Sequence, residues 1–168
     1  ECPKAVAFRR PGQIVIEQQL VYTVQANSWL GTTGTNISTI EAKLRNGPRS
    51  YLDHELPAIM LKVIGKRQER ITNTEFDKFF RFAAFVLGRS GDLDAVLNNV
   101  QLIVSELEDE LSLHYGGTND LKGLGTHADV NGGPILELGE TIIDYRESDE
   151  AVFTVLATVE GIINIVTT

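Results

Sequence analysis

A chain of 168 residues, 42% hydrophobic and 23% charged, is long enough to bury one core without staples. Its formal charge of −8 argues against general nucleic-acid binding, which depends on basic surface to displace counterions from phosphates. No apolar run approaches the roughly 20 residues of a membrane-spanning helix, and the single cysteine, Cys2, excludes an internal disulfide and a cysteine-based zinc cluster.

Residues 1–12, "ECPKAVAFRRPG", carry no apolar signal core and are expected to form a flexible terminus. In "QIVIEQQLVYTVQANSW" the spacing of Ile16, Leu20 and Val24 predicts a helix, although the Val, Ile, Tyr and Thr content would also suit a strand. Gly31, Gly34, Gly47, Pro48 and Pro57 then break the chain into a long connection. Residues 58–71 and 76–89 read as strands, with the turn Thr72-Asn73-Thr74-Glu75 between them. By the period-2 rule Phe80, Phe82, Ala84 and Val86 share one face of the second strand. Phe79, Arg81, Ala83, Phe85 and Leu87 share the other. Aromatics on both faces imply a strand central in its sheet, or one covered by a second layer such as another subunit.

The clearest element follows. Leu93, Val96, Leu97, Val100, Val104, Leu107 and Leu111 form one apolar stripe on a helix over residues 92–113. Asp92 is its N-cap, Asp94 suits the first turn, and Gly116 and Gly117 can end it. A Gly-rich loop over 116–133 comes next, then strands over 135–145 and 152–166 joined by "RESDE". The expectation is a single α+β domain over 1–168, in the order α-β-β-α-β-β. It is a mixed sheet of two β-hairpins packed against a long amphipathic helix.

Within the loop, "GLGTHA" (residues 123–128) matches a G-x-G-x-x-A dinucleotide fingerprint. That fingerprint works only where a strand enters a glycine turn and a helix follows. Here a helix precedes it, and "ADVNGGP" cannot start one. His114, Asp120, His127 and Asp129 share the segment but lack a known ligand spacing, and read as exposed loop residues. Cys2 lies on a terminus, no G-x-S-x-G elbow is present, and His54 reads as a loop residue. Trp29 reads as a core or interface anchor. No catalytic, cofactor or metal site is expected, and the chain is read as not an enzyme.

The order and spacing of "LPAIMLKVIGKRQERIT", "FDKFFRFAAFVLGRSGDLDAVLNNVQLIVSEL", a long loop and "ILELGETIIDYRESDEAVFTVLATVEGIINI" resembles the tail terminator proteins of tailed bacteriophages. The matching pieces are Pro57-Ala58, Arg81 to Arg89, Asp92 to Leu113 and Val152 to Val166, within residues 13–167. The resemblance is one of element order, and neck, head-completion and tail-tube proteins share it. It implies a subunit of a ring, a homohexamer, that caps the tail tube and joins it to the head–tail connector or neck. Genomic DNA would pass through the lumen without specific binding. It also implies a virion protein assembled in the host cytoplasm, touching tube or sheath protein and no membrane.

A closed ring needs two unlike patches on each subunit. Residues 1–84 carry 12 Lys+Arg and 8 Asp+Glu, a balance of +4, while residues 85–168 carry 3 and 15, a balance of −12, which together make the −8. The interface expected on that footing sets Lys66, Arg67 and Arg70 against Glu106, Glu108, Asp109 and Glu110. Phe79, Phe80, Phe82 and Phe85 would supply apolar area. Two other readings stay open: a monomeric protein-binding adaptor, and, ranked last, a nucleotide-binding enzyme using Gly123. If 116–133 is only a loop, removing 118–131 leaves the domain folded.

Overall fold

Two long antiparallel hairpins and two helices build the fold, in a computed structural model that describes residues 12–31, 36–43, 45, 51–114, 121, 130–148 and 151–168. In chain order the elements are α1 (Gln13–Ala26), β1 (Thr39–Glu41), a 3-10 turn (Asp53–Glu55), β2 (Ala58–Arg70), β3 (Phe76–Ser90), α2 (Leu93–Ser112), β4 (Val130–Glu147) and β5 (Phe153–Thr167). The sheet order is β1-β2-β3-β5-β4. β1 runs parallel to β2 and every other pairing is antiparallel, so the sheet is mixed. The α+β class, the two hairpins and the long helix are as the sequence predicts. The addition is β1, a three-residue strand in the Gly- and Pro-rich connection, too short to show a period of its own.

β3 is the central strand and pairs with β5 along its whole length, from Phe76↔Thr167 to Ser90↔Phe153. On its helix side Phe80, Phe82, Ala84 and Val86 are buried, together with Val155, Ala157, Val159, Ile163 and Ile165 of β5. Val96, Val100, Ile103, Val104, Leu107 and Leu111 of α2 close over them, and α1 adds Val15, Ile16, Leu20 and Val24. Each large side chain buried this way contributes about 1.5–3 kcal/mol. Phe80 and Phe82 are therefore core, contrary to their expected place in a subunit interface. Trp29 packs against the same core.

Local chemistry sets the helix ends. Asp92 accepts the Ala95 amide at 3.2 Å and caps α2. α1 ends at Asn27, whose Oδ1 accepts the Trp29 and Leu30 amides at 2.9 and 2.8 Å and turns the chain. The buried Glu17 of α1 satisfies a sheet edge: β1 pairs with β2 only as far as Met60, and the Val63 amide beyond it donates to Glu17 Oε2 at 2.9 Å. Lys62 donates to the other oxygen at 3.2 Å.

The loop boundaries differ from expectation. β4 begins at Val130 rather than Ile135, so the last residues of the expected 116–133 loop are strand. Leu121 is 0% exposed, held at φ 52, and belongs to the main core. The segment thus supplies a core side chain, and removing 118–131 takes away Leu121 and the start of β4. Residues 115–120 and 122–129, with the "GLGTHA" stretch, lie outside the described residues, as do 1–11 of the expected flexible terminus.

Two stability predictions follow from this packing. A Cβ on Gly161 would come within 2.7 Å of the Phe82 ring and 2.9 Å of the Glu137 carbonyl oxygen. Gly161→Ala should therefore destabilise by about 1–3 kcal/mol in urea unfolding, with an unchanged m-value. Leu121→Ala should cost about 2–5 kcal/mol; a change near zero would return the segment to the status of a plain loop.

Candidate assembly surfaces

Strand alternation divides the expected basic cluster. Lys66 stands opposite Phe80, Arg67 opposite Phe79 and Arg70 opposite Phe76. Lys66 and Arg70 therefore lie on the helix side of the sheet, and Arg67 lies on the other. Each cation covers its cross-strand ring: Arg67 at 4.2 Å from the Phe79 centroid, Arg70 at 4.6 Å from Phe76 and Lys66 at 5.8 Å from Phe80. Such pairs stabilise by about 0.5–1 kcal/mol at exposed positions. They stiffen the β2–β3 hairpin where it is most exposed. Arg67 also donates to Glu69 at 2.8 Å and Arg70 to the Asn73 carbonyl at 3.0 Å.

α2 carries five acids and no base, but its acids are not equivalent. Glu108 accepts the Thr141 hydroxyl and ties α2 to β4. Glu110 accepts Asn27 Nδ2 at 2.8 Å and contacts His114 Nε2 at 3.1 Å. The Leu121 amide donates to His114 Nδ1 at 3.1 Å, so Nε2 carries the proton toward Glu110. His114 is buried, and the His114 carbonyl accepts the Leu136 amide at 2.9 Å. The sequence reading of His114 as an exposed loop residue is thereby corrected: it is the joint between α2, Leu121 and β4. Glu106 and Asp109 are left without a side-chain partner among the described residues.

The face of the sheet away from the helices is half covered. Tyr51, Leu56, Ala58, Met60, Phe85, Leu87 and Leu156 make a second, smaller core there, with Tyr51 and Leu56 laid over the strands. Arg45 holds that cover. It binds Glu55 through two nitrogens at 3.0 and 3.1 Å, reaches Glu41 at 3.1 Å, and lies 4.0 Å from the Tyr51 ring centroid. Tyr51 in turn donates to Glu41 at 2.7 Å. The bonds to Arg45 and to the Leu52 amide hold the Glu55 carboxyl down at about 2. Burial and the bond to Glu41 push the Tyr51 hydroxyl well above its ordinary range. A cleft of about 280 Å³ opens between the 3-10 turn, the end of β3 and the first turn of α2. Arg89, on its wall, already bonds the Tyr51 carbonyl and Asp53.

Farther along, the same face is only partly covered among the described residues. Phe79, Arg81, Ile135, Ile142 and Ile162 fall on that face by register, with Ile142 and Ile162 48% and 44% exposed. Of the residues singled out from sequence, Arg67, Phe79 and Phe85 are thus brought to one face. Lys66 and Arg70 lie on the other face of the hairpin, and Glu106, Glu108, Asp109 and Glu110 lie on α2 across the core. Arg81 and Ile162 stand side by side on this face, and Leu102 is exposed on α2. Alternation, which places Arg81 and Phe79 together, was the signal available for the first of them.

No protein-family model matches the chain, and no curated protein matches it. Among solved structures, a chain from the virion of a native gene transfer agent particle is similar to it, at 11% identity and a TM-score of 0.45 over 89% of this chain and 94% of that chain. Among the described residues no group of His, Cys, Asp and Glu is arranged to hold a metal ion, and no helix is long and apolar enough to cross a membrane.

The Arg45 clamp makes a pH prediction. Glu55 has a folded pKa of about 2, below the ordinary value near 4.3, so its contribution is complete above that value and lost as pH falls toward 2. Protection of the Leu52 amide, measured relative to intrinsic exchange at each pH, should fall between pH about 4 and 2. In Glu55→Gln that protection should already be lower at neutral pH and change little over the same window.

Proposed function

We propose that this chain is a structural virion protein, the ring-forming terminator of a bacteriophage tail. It caps the tail tube, contacts tube or sheath protein on one side and the connector or neck on the other, and leaves a channel for the genome. The observation that carries the reading is the placement of two unlike adhesive surfaces on opposite sides of one subunit. One is a partly uncovered sheet face where Arg81, Ile142 and Ile162 are exposed beside a half-buried Phe79; the other is the outer face of an acidic helix. Unlike patches associate head to tail, and head-to-tail contacts close into rings when the rotation permits. The order of hairpin, amphipathic helix and hairpin is the one on which the resemblance to tail terminators rests.

The interface residues belonging to this reading are Lys66, Arg67, Arg70, Phe79 and Phe85 of the hairpins and Glu106, Glu108, Asp109 and Glu110 of α2; of the first group Arg67 and Phe79 lie on the uncovered face, Lys66 and Arg70 lie on its reverse, and Phe85 is packed in the second core. Glu108 and Glu110 act there by holding α2 in place, because their oxygens are committed within the subunit. The net negative charge suits a conduit from which DNA must slide away rather than adhere. The same surfaces could serve another neck, head-completion or tube protein, and particle images of the assembled virion separate these roles by position.

Native mass spectrometry of the purified chain, alone and with sheared tail tubes, is expected to give a hexamer, or a monomer that becomes hexameric on tube ends. A monomer under both conditions with one protein partner would instead identify an adaptor. A monomer with tight nucleotide binding would identify an enzyme.

A further inference from the structure

We infer that the free edge of β4 over residues 141–147 pairs with itself: a second copy of this chain lays the same strand antiparallel to it, about a two-fold axis at Tyr145. The pairing goes beyond the ring reading and does not depend on it. A two-fold contact is saturated by two copies, whereas a ring needs two unlike surfaces.

The edge is open and its backbone is aimed outward. β4 is the last strand on its side of the sheet and pairs only with β5. Its first half is broken by Pro134 and by register shifts between Asn131 and Ile135 and between Leu138 and Thr141. From Thr141↔Val159 to Glu147↔Phe153 the register runs without interruption. Just beyond, the Ser148 amide donates to the Val152 carbonyl at 2.9 Å, which marks that pair as hydrogen-bonded. Hydrogen-bonded and non-hydrogen-bonded pairs alternate along an antiparallel ladder. Arg146, Asp144 and Ile142 therefore turn their backbone groups to β5, and Glu147, Tyr145, Ile143 and Thr141 turn theirs to the free side. The opposite edge is less available: β1 covers the start of β2, Glu17 takes the Val63 amide, and a register shift follows at once. Bulges, proline and charge discourage strand addition, and over residues 141–147 only charge is present.

Those charges select both partner and register. Asp144 and Arg146 lie two residues apart on one face of β4, both exposed, and neither has a bonding partner among the described residues. Opposite them on β5 stand Leu156 and Thr154, so no charge on the neighbouring strand competes for them. A parallel in-register copy would set like charge on like. So would an antiparallel copy centred on Asp144 or on Arg146. Centred on Tyr145, each Asp144 faces the second copy's Arg146. These are non-hydrogen-bonded pairs, in which side chains approach most closely. The four charges then alternate in sign around the axis, with like charges on the diagonals. The outward backbone groups agree with this register: Tyr145 meets Tyr145, and Ile143 meets Glu147, as hydrogen-bonded pairs. Tyr145, 59% exposed in the single chain, gains a cross-strand aromatic partner.

Sedimentation equilibrium of the whole chain tests this, over a range of concentrations in about 0.15 M salt, which screens the repulsion between two chains of charge −8. At raised concentration the wild-type chain should pair two by two. Tyr145→Pro, which removes a main-chain donor that the single chain does not use, should not pair, with thermal melting nearly unchanged. Asp144→Arg and Arg146→Asp should each raise the dissociation constant about tenfold, and the chain carrying both should recover most of the loss. In a Cys2→Ser background, Asp144→Cys and Arg146→Cys chains should form a disulfide with each other when mixed, and not with themselves. Equal masses for wild type and Tyr145→Pro at every concentration, or cross-linking within each single-cysteine chain as readily as between the two, overturns the inference and leaves the ring reading standing. Pairing that follows this pattern while no ring forms on tube ends overturns the ring reading alone.

Discussion

The structure depends on the pairing of β3 along its full length with β5, and along most of it with β2. That pairing makes β3 the middle of the sheet and gives each of its faces a separate burial problem. On one side the problem is solved within the chain, because α1 and α2 lay their stripes over Phe80, Phe82, Ala84 and Val86. On the other side Tyr51 and Leu56 solve it only in part. Apolar surface left in water costs about 25 cal/mol for each Å² that burial would remove. The uncovered half of the sheet keeps Ile142 and Ile162 in water, at 48% and 44% exposed.

Polar contacts decide how rigidly the layers sit. Asn27 turns the chain at the end of α1 and also donates to Glu110, so a single residue fixes the helix end and the contact between the helices. Glu110 passes the contact to His114, His114 accepts from Leu121, and Leu136 of β4 donates to the His114 carbonyl. This chain of bonds crosses four separate segments and is largely shielded from water, where an unpaired polar group would cost about 1–3 kcal/mol. It holds the acid-rich end of α2 against its own dipole and keeps the outward stripe in one orientation.

The two faces differ in what they offer. Cation–ring stacking on the β2–β3 hairpin stiffens an element that projects its side chains into solvent, while Glu17 closes the weak point where β1 stops covering β2. The cleft beside Arg89 has its one strong cation already bonded to Tyr51 and Asp53.

The sequence by itself determined the elements whose signal is local: α2 from its capping Asp92 and three-to-four spacing, the two hairpins, and the two-faced character of β3. Period and caps are properties of neighbouring residues, and these survive in any fold. Tertiary structure alone decided what depends on distant partners. β1 exists because β2 offers it an edge. Leu121 is core because the fold buries it completely among distant apolar side chains, in a stretch that composition marks as loop. Glu108 and Glu110 are bound while Glu106 and Asp109 are open, although all four look alike in sequence. Which of several equal charges finds a partner is set by the approach of other elements in space, and no local pattern carries that information.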